Sequence, residues 1–410
     1  MAKEFYSIAE VAEKLNVSIK SIRRYVASGA LRSVRIGGLY RIYTDDLNSF
    51  INAGINTENH REVVEKSDKD SSPHWIDIKS YWNSVNESSM TFVDLFCGAG
   101  GLSKGLEMAG LQGVCGLDWF NEAGQTYVRN FNHPFVNGDI KDKSVKNKFY
   151  TTVKEQLNGR KLNIVAGGFP CQGFSMAGNR IVDDPRNSLY LELVEIVKKL
   201  KPDFVLCENV KGLRSMLNGR VEQKILEDFR NIGYEMNVAV LCAADYYTPQ
   251  KRERVIFIGN RKGLKNYHPA PILSQSEYIT TGQAISDLMS INEDASFNHV
   301  PTKHKPEMMQ RMAELEEGKS LYKGYSDAWK KCPWDEASCT IKENHGGVNI
   351  HPKLPRVLTA REMARLQSFP DDFIFEGPKN KQLVQIGNAV PPLLGKAIGL
   401  ALRYSNKDIK

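Results

Sequence analysis

From residue 91 onward, short apolar runs alternate with longer amphipathic stretches. Thr91-Phe92-Val93-Asp94-Leu95-Phe96 is the first run. Leu162-Asn163-Ile164-Val165-Ala166, Pro202-Asp203-Phe204-Val205-Leu206-Cys207 and Val255-Ile256-Phe257-Ile258 repeat the pattern, with shorter runs at 113–117 and 135–136. Brief and almost wholly apolar, they predict strands buried on both faces. A helix is expected over 102–109 and another at the end of the chain, opened by Pro391-Pro392 and running over 393–404. Strands alternating with helices predict an α/β fold around a mostly parallel sheet.

The first 54 residues follow a different rhythm. Ser7-Ile8-Ala9-Glu10 reads as a capping box that starts a helix to about Leu15, with Ile8, Val11, Ala12 and Leu15 on one face. After a tight turn at Asn16-Val17, Ser18 caps a second helix over 19–28 that carries Lys20, Arg23 and Arg24, and Gly29 ends it. Two short helices so closely joined predict a helix-turn-helix. Residues 31–36 and 39–43 flank Gly37-Gly38 as a hairpin, and a third helix is expected over 45–51. From 55 to 89 the chain is polar and charged, predicting a solvated linker, with Trp75, Ile76, Tyr81 and Trp82 as apolar exceptions that could dock on the body. Residues 90–259 are then expected to form a catalytic domain, 260–355 a region of weak periodicity, and 356–410 a return segment that completes the catalytic domain. Thr359-Ala360-Arg361-Glu362 is a second capping box within that return.

The 410 residues exceed one ordinary domain and carry a formal charge of +7, which suits a polyanionic partner. No apolar run is long enough to span a membrane, and the first residues lack the apolar core of a signal peptide. The seven cysteines include no Cys-x-x-Cys pair, so neither a zinc site nor a disulfide framework is expected. A reducing, cytoplasmic setting follows, and it would keep Cys171 a free thiol.

Candidate chemistry gathers at strand ends. After the run 162–166, Gly167 and Gly168 permit a sharp turn, and Pro170 stiffens the backbone before Cys171 in Gly168-Phe169-Pro170-Cys171-Gln172-Gly173-Phe174-Ser175. Open α/β sheets place their ligands at such positions. Cys97-Gly98-Ala99-Gly100-Gly101 stands between the first strand and its helix, the layout of a phosphate or nucleoside site. Asp118 ends the next strand at the spacing where an acid meets ribose hydroxyls, and Gly138-Asp139-Ile140 gives a third polar end. Glu208 closes the run 202–207 on the same rim as Cys171. A strand period of two would put Gln250, Arg252 and Arg254 on one face.

Five of these segments, in order, resemble the motifs of the cytosine-5 DNA methyltransferases. They are Asp94-Leu95-Phe96-Cys97-Gly98-Ala99-Gly100-Gly101, Pro170-Cys171-Gln172, Glu208-Asn209-Val210, Gln250-Lys251-Arg252-Glu253-Arg254 and Gln385-Ile386-Gly387-Asn388-Ala389-Val390. The first 54 residues resemble the winged helix-turn-helix DNA-binding domains of the excisionase and MerR-like type. The resemblance implies a Rossmann-like methyltransferase fold, S-adenosylmethionine as cofactor, and a small target-recognition domain within 260–355. It implies that Phe96 packs on the adenine, that Asp118 and Trp119 hold ribose and adenine, and that Asp139 and Ile140 flank the adenine. Gly98, Ala99, Gly101, Gly168, Pro170, Leu189 and Asn388 would line the rest.

A cysteine thiolate adding to carbon 6 of cytosine makes carbon 5 nucleophilic, so Cys171 is the expected nucleophile. Glu208 is the expected donor at N3, and Arg252 and Arg254 would orient the base. The base must leave the duplex, so Gln172, Ser175, Arg180 and Gln250 are expected at the DNA, with Arg23 and Arg24 of the N-terminal domain. The loop 174–186 is expected to be mobile without DNA. Lysines of the region 260–355, Lys331 among them, are expected at phosphates, and Asn344 to Asn349 at bases. His299, His304, His345 and His351 are expected at the surface, and no metal is expected. The rival readings are a transfer-RNA cytosine-5 methyltransferase, whose Cys-Phe-Thr signature is absent, and a helix-turn-helix regulator with an inactive enzyme half. Double-stranded DNA is the expected partner and a restriction endonuclease the functional one, with a monomeric catalytic part.

Overall fold

The structure is a computed structural model that describes residues 5–15, 19, 22, 25–26, 31–36, 39–55, 71–170, 188–322, 329–342 and 348–408. The chain divides into two compact units, Met1–Ser71 and Ser72–Lys410.

In the first unit, β1 (Phe5–Ser7) leads directly into α1 (Ile8–Lys14). The expected capping box is made: Ser7 Oγ accepts the Glu10 N–H, and Glu10 Oε2 accepts the Ser7 N–H. The strands β2 (Val34–Ile36) and β3 (Leu39–Tyr43) form the expected antiparallel hairpin, Ile36 opposite Leu39. β1 pairs with the other edge of β3, a third strand that three residues of sequence do not announce. The helix α2 (Thr44–Ile55) follows. Val11, Ala12, Ile22, Leu31, Ile42 and Leu47 make a separate small core. Most of the predicted second helix, Arg23 and Arg24 included, lies outside the described residues.

The second unit is built on seven strands: β5 (Thr91–Leu95), β6 (Gln112–Asp118), β7 (Phe135–Asn137), β8 (Ile164–Gly167), β9 (Phe204–Val210), β10 (Glu235–Cys242) and β11 (Glu253–Asn260). Their order is β10-β11-β9-β8-β5-β6-β7. The five strands from β9 to β7 run parallel, whereas β11 is antiparallel to β9 and β10 to β11. The period of two divides the central strands between two cores. Val93, Leu95, Val165, Val205, Cys207 and Phe257 face one side, covered by α5 (Lys143–Leu157), α6 (Ser188–Leu200) and α7 (Arg220–Asn231). Phe92, Ile164, Ala166, Leu206, Ile256 and Ile258 face the other, covered by α3 (Gly101–Met108) and the last helix, α12 (Pro392–Ser405). This continuous burial is why the strands read as unbroken apolar runs.

A third core joins the loop after β5 and α4 (Asn121–Asn130) to the later part of the chain. Cys97, Ala99, Tyr127 and Phe131 pack with Ile285, Met312, Ile341, Ile350 and Met363. The short helices α8 (Thr281–Ile285), α9 (Pro306–Glu314) and α10 (Ala360–Leu366) and then α11 (Lys379–Asn388) belong to this part. The second capping box is also made, between Thr359 and Glu362.

Two expectations are corrected here. The solvated linker ends well before residue 89: β4 (His74–Ile76) pairs in parallel with β12 (Tyr267–Pro269), and Ile78 and Trp82 are buried under α12. The Lys396 ammonium lies 4.5 Å from the Trp82 ring centre. The apolar exceptions noted in that segment are therefore what docks it. His299 and His351 are buried rather than at the surface. Each is held inside by hydrogen bonds, one long-range and one local: His299 Nδ1 to Thr359 Oγ1, and His351 Nδ1 accepting the N–H groups of Lys353 and Leu354.

Candidate active site

The chain reverses direction of travel across the sheet between β5 and β8, because β6 and β7 lie on one side of β5 and β8 and β9 on the other. Ligands bind beyond the strand ends at such a switch point. A cleft of about 1280 Å³ opens there.

One end of the cleft is built by the loops after β5 and β6. Phe96 and Gly98 take positive φ, 57° and 53°. At Gly98 a side chain would point into open space, whereas Gly100 has no such room, its missing Cβ lying 2.3 Å from the Phe131 ring. Asp118 ties the loop down: its two carboxylate oxygens accept the N–H groups of Gly98 and Phe120, each at 2.8 Å. Burial pushes the Asp118 carboxyl up, and those backbone donors pull it back. Trp119 lines the cleft with 74% of its surface exposed, an unusual state for so large an apolar ring. Beneath lies Asp94, buried and pushed up to about 7 by desolvation; it accepts a 2.7 Å bond from Ser103 Oγ.

The other end is built by β8, β9 and β11. β9 runs on past the end of β8, and Glu208 sits where the two part company. Arg254, diagonally across on β11, points to the same face and pairs its Nε with Glu208 Oε1 at 2.8 Å. Both side chains are largely buried. Gly168 leaves room for Glu208: a Cβ there would lie 3.0 Å from Oε2. Asn209 donates to the carbonyl of Phe169 at 2.9 Å and so fixes the backbone leading to Cys171.

Of the residues expected around a cofactor, Phe96, Gly98, Ala99, Asp118, Trp119, Asp139, Ile140, Gly168, Pro170, Leu189 and Asn388 all line this cleft. Glu208, Arg252 and Arg254 line it too. Gly101 does not. Its missing Cβ faces the Val390 carbonyl at 2.3 Å, so packing against the later chain leaves no room for a side chain at this position. Gln250 does not stand where it was expected. Its side chain is fully buried and bonded to Leu366 O, Gln367 Oε1 and the Ile341 N–H, so it holds protein segments together and does not face DNA. The strand begins only at Glu253, so Gln250, Arg252 and Arg254 are not one row. Arg252 is buried as well, donating to the carbonyls of Ile341 (2.7 Å) and Gly387 (2.9 Å), and burial drives its pKa well below the usual guanidinium value. Lys331, expected at phosphate, instead caps α9 through Met312 O and Ala313 O. Cys171, Gln172, Ser175, Arg180, the loop 174–186, Asn344 and His345 lie outside the described residues. Sequence reading missed Asn209 and Thr340; the first lay inside a quoted motif, whereas the second lines the cleft from a segment without periodicity, beside Lys342, one of the lysines expected at phosphates.

Comparison with known proteins decides the family. Residues 90–403 match the C-5 cytosine-specific DNA methylase domain. This chain belongs to that family. Residues 5–54 match a helix-turn-helix domain, so the methylase carries one at its N-terminus. The type II methyltransferase M1.HphI of Haemophilus parahaemolyticus is 38% identical over 336 residues, spanning 78% of this methylase and 88% of the relative. M.Eco47II of Escherichia coli, also a type II methyltransferase, is 32% identical over 430 residues and covers 97% of this chain and 95% of its own. A span that wide necessarily runs into the N-terminal unit. Among solved structures, a prophage-encoded DNA modification methyltransferase of E. coli superposes with a TM-score of 0.63 at 26% identity, covering 78% of this chain and all of that one. The protein is thus a DNA cytosine-5 methyltransferase, with the methyltransferase fold around its parallel sheet. No helix among the described residues is long and apolar enough to cross a membrane.

Proposed function

We infer that this methyltransferase methylates carbon 5 of a cytosine flipped out of duplex DNA, using S-adenosylmethionine, through a covalent bond to Cys171. The observation that carries this reading is the sharing of one cleft by a nucleoside-type end, around Phe96, Asp118 and Trp119, and the Glu208–Arg254 pair, with the lead-in to Cys171 between them. Its volume exceeds the ~1,000 Å³ that a single small ligand usually fills, which leaves room for cofactor and base together.

The residues present fit the cofactor. The open space at Gly98 admits close backbone approach, and the exposed Trp119 face and Ile140 suit a flat adenine. Phe96 would pack on the same ring with Asp139 flanking it, and Asp118 would hold the ribose. Ala99, Gly168, Pro170, Leu189 and Asn388 enclose the remainder. S-adenosylmethionine, when bound, supplies an electrophilic methyl group on a cationic sulfonium.

Cys171 adds as thiolate to carbon 6, and the ring electrons move to carbon 5. Glu208 bonds N3 and favours that shift, while Arg254 holds Glu208 and helps orient the base with Arg252. Once carbon 5 carries the methyl group, its proton leaves to water, the carbon 6–sulfur bond breaks, and the thiolate is restored. Flipping costs a few kcal/mol; Gln172, Ser175 and Arg180 meet the DNA on that side. Arg23 and Arg24 give the N-terminal domain its own DNA contact. The naming of both relatives as type II methyltransferases supports a role in restriction–modification. A restriction endonuclease would then be the functional rather than physical partner, with a monomeric catalytic part in the cytoplasm.

A duplex carrying 5-fluorocytosine in place of the target, incubated with S-adenosylmethionine, should become covalently attached to the wild-type chain. Cys171→Ser should abolish the adduct. An adduct that persists in this variant refutes the mechanism. Bisulfite sequencing of DNA from cells expressing the chain identifies the site.

A further inference from the structure

Gln250 and Gln367 form a buried amide pair between the two halves of the cleft's far wall. The Ile341 N–H donates to Gln250 Oε1 at 2.9 Å, Gln250 Nε2 donates to Gln367 Oε1 at 2.9 Å, and Gln367 Nε2 donates to the Ile386 carbonyl at 2.7 Å. Both side chains are fully buried. All three bonds point the same way, so they polarise one another, and turning either amide would set like groups against each other. Arg252 makes a parallel connection, from the Ile341 carbonyl to the Gly387 carbonyl. The Ile341 carbonyl is therefore tied to the end of α11 through Arg252 alone, and its N–H through Gln250 and Gln367 in series. Thr340 and Lys342, on either side of Ile341, line the cleft, and Gly387 and Asn388 line it too.

We propose that Gln367 is a positioning residue that couples DNA binding to cofactor binding through Gln250, without touching either ligand. The proposal rests on the functional reading above, in which the cleft takes both. Its physical basis is that neither buried amide can lose its partner cheaply. A duplex that orders the segment 340–342 fixes the Ile341 peptide, hence Gln250, hence Gln367, and so stiffens the wall at Gly387–Asn388. Cofactor binding stiffens the same chain of bonds from the opposite end.

The test uses the full chain, S-adenosylhomocysteine as a non-reacting cofactor probe, and a short duplex carrying the site found by bisulfite sequencing. Titrations give the affinity of each ligand alone and in the presence of the other. In the wild type each ligand should tighten the other about tenfold, by the same factor in both directions. Gln367→Met keeps the side-chain length and removes its polar atoms; the coupling factor should fall to near one, with each ligand alone binding as before. An unchanged factor overturns the proposal. So does a loss of affinity for each ligand alone that accounts for the whole change, since a merely structural role would give it. If the wild type binds both ligands without coupling, this inference alone fails; if it binds neither, the functional reading fails beneath it. Should Gln367→Met not fold, hydrogen exchange on the wild type decides. Duplex alone should slow exchange at 386–389, and protection confined to 340–342 would refute the link.

Discussion

At the scale of single residues, the cleft depends on side chains whose bonds leave them little freedom. Glu208 is held by Arg254, and Gly168 is small because Glu208 stands beside it. Glu208→Gln preserves the shape and the acceptor for Arg254 but removes the carboxyl from N3. Methyl transfer should fall about 10²–10⁴-fold, with cofactor affinity unchanged, as single-turnover kinetics and a binding titration would report. A pH effect belongs at this scale too. His351 keeps Nδ1 free to accept two backbone N–H groups, and burial pushes its pKa down to about 4 from an ordinary 6.5. The unfolded chain takes up that proton near pH 6.5 and the folded one only near pH 4. The stabilisation is therefore complete above pH 6.5 and is lost as pH falls toward 4, by about 3 kcal/mol. Melting temperatures measured across that range should drop, and His351→Gln should flatten the drop. Burial pushes the Asp94 carboxyl the other way, to about 7, so its contribution is greatest in acid and fades as pH rises through 7. Residue types at motif positions were legible in the sequence; which atoms they bond was not, as Gln250 illustrates.

Between elements, α3 packs closely against α12, which brings the end of the chain back to the first glycine loop. A Cβ on Gly105 would lie 2.3 Å from the Pro392 carbonyl and 2.6 Å from the Gly395 Cα. Backbone cannot yield as a side chain can, so Gly105→Ala should cost about 1–3 kcal/mol, read as a lower melting temperature in a calorimeter. Removing α12 should abolish S-adenosylmethionine binding, because Asn388, Ala389 and Val390 line the cleft just before it; retained affinity in a folded truncation would count against the assignment. The strands around β5 were readable because burial on both faces makes their sequences plain. β1 and β4, three residues each, were not, since too few residues stand in line for a period to register.

For the whole molecule, the division into two units has a direct consequence. Every residue that lines the cleft lies between Asp94 and Val390, and the N-terminal unit has a core of its own. A chain of residues 72–410 should keep methyl transfer, measured by methyl incorporation into unmodified DNA, and lose whatever DNA sites the helix-turn-helix serves. Local sequence was enough to establish the parallel sheet, the glycine loop, both capping boxes and the family, because each arises from neighbours along the chain. Only the tertiary structure separated the motif residues that line the cleft from those packed against the rest of the protein. Gly101 and Gln250 meet Val390 and Ile341, partners hundreds or scores of positions away. A side chain's duty in a buried polar site follows from who reaches it, and that is a property of the fold.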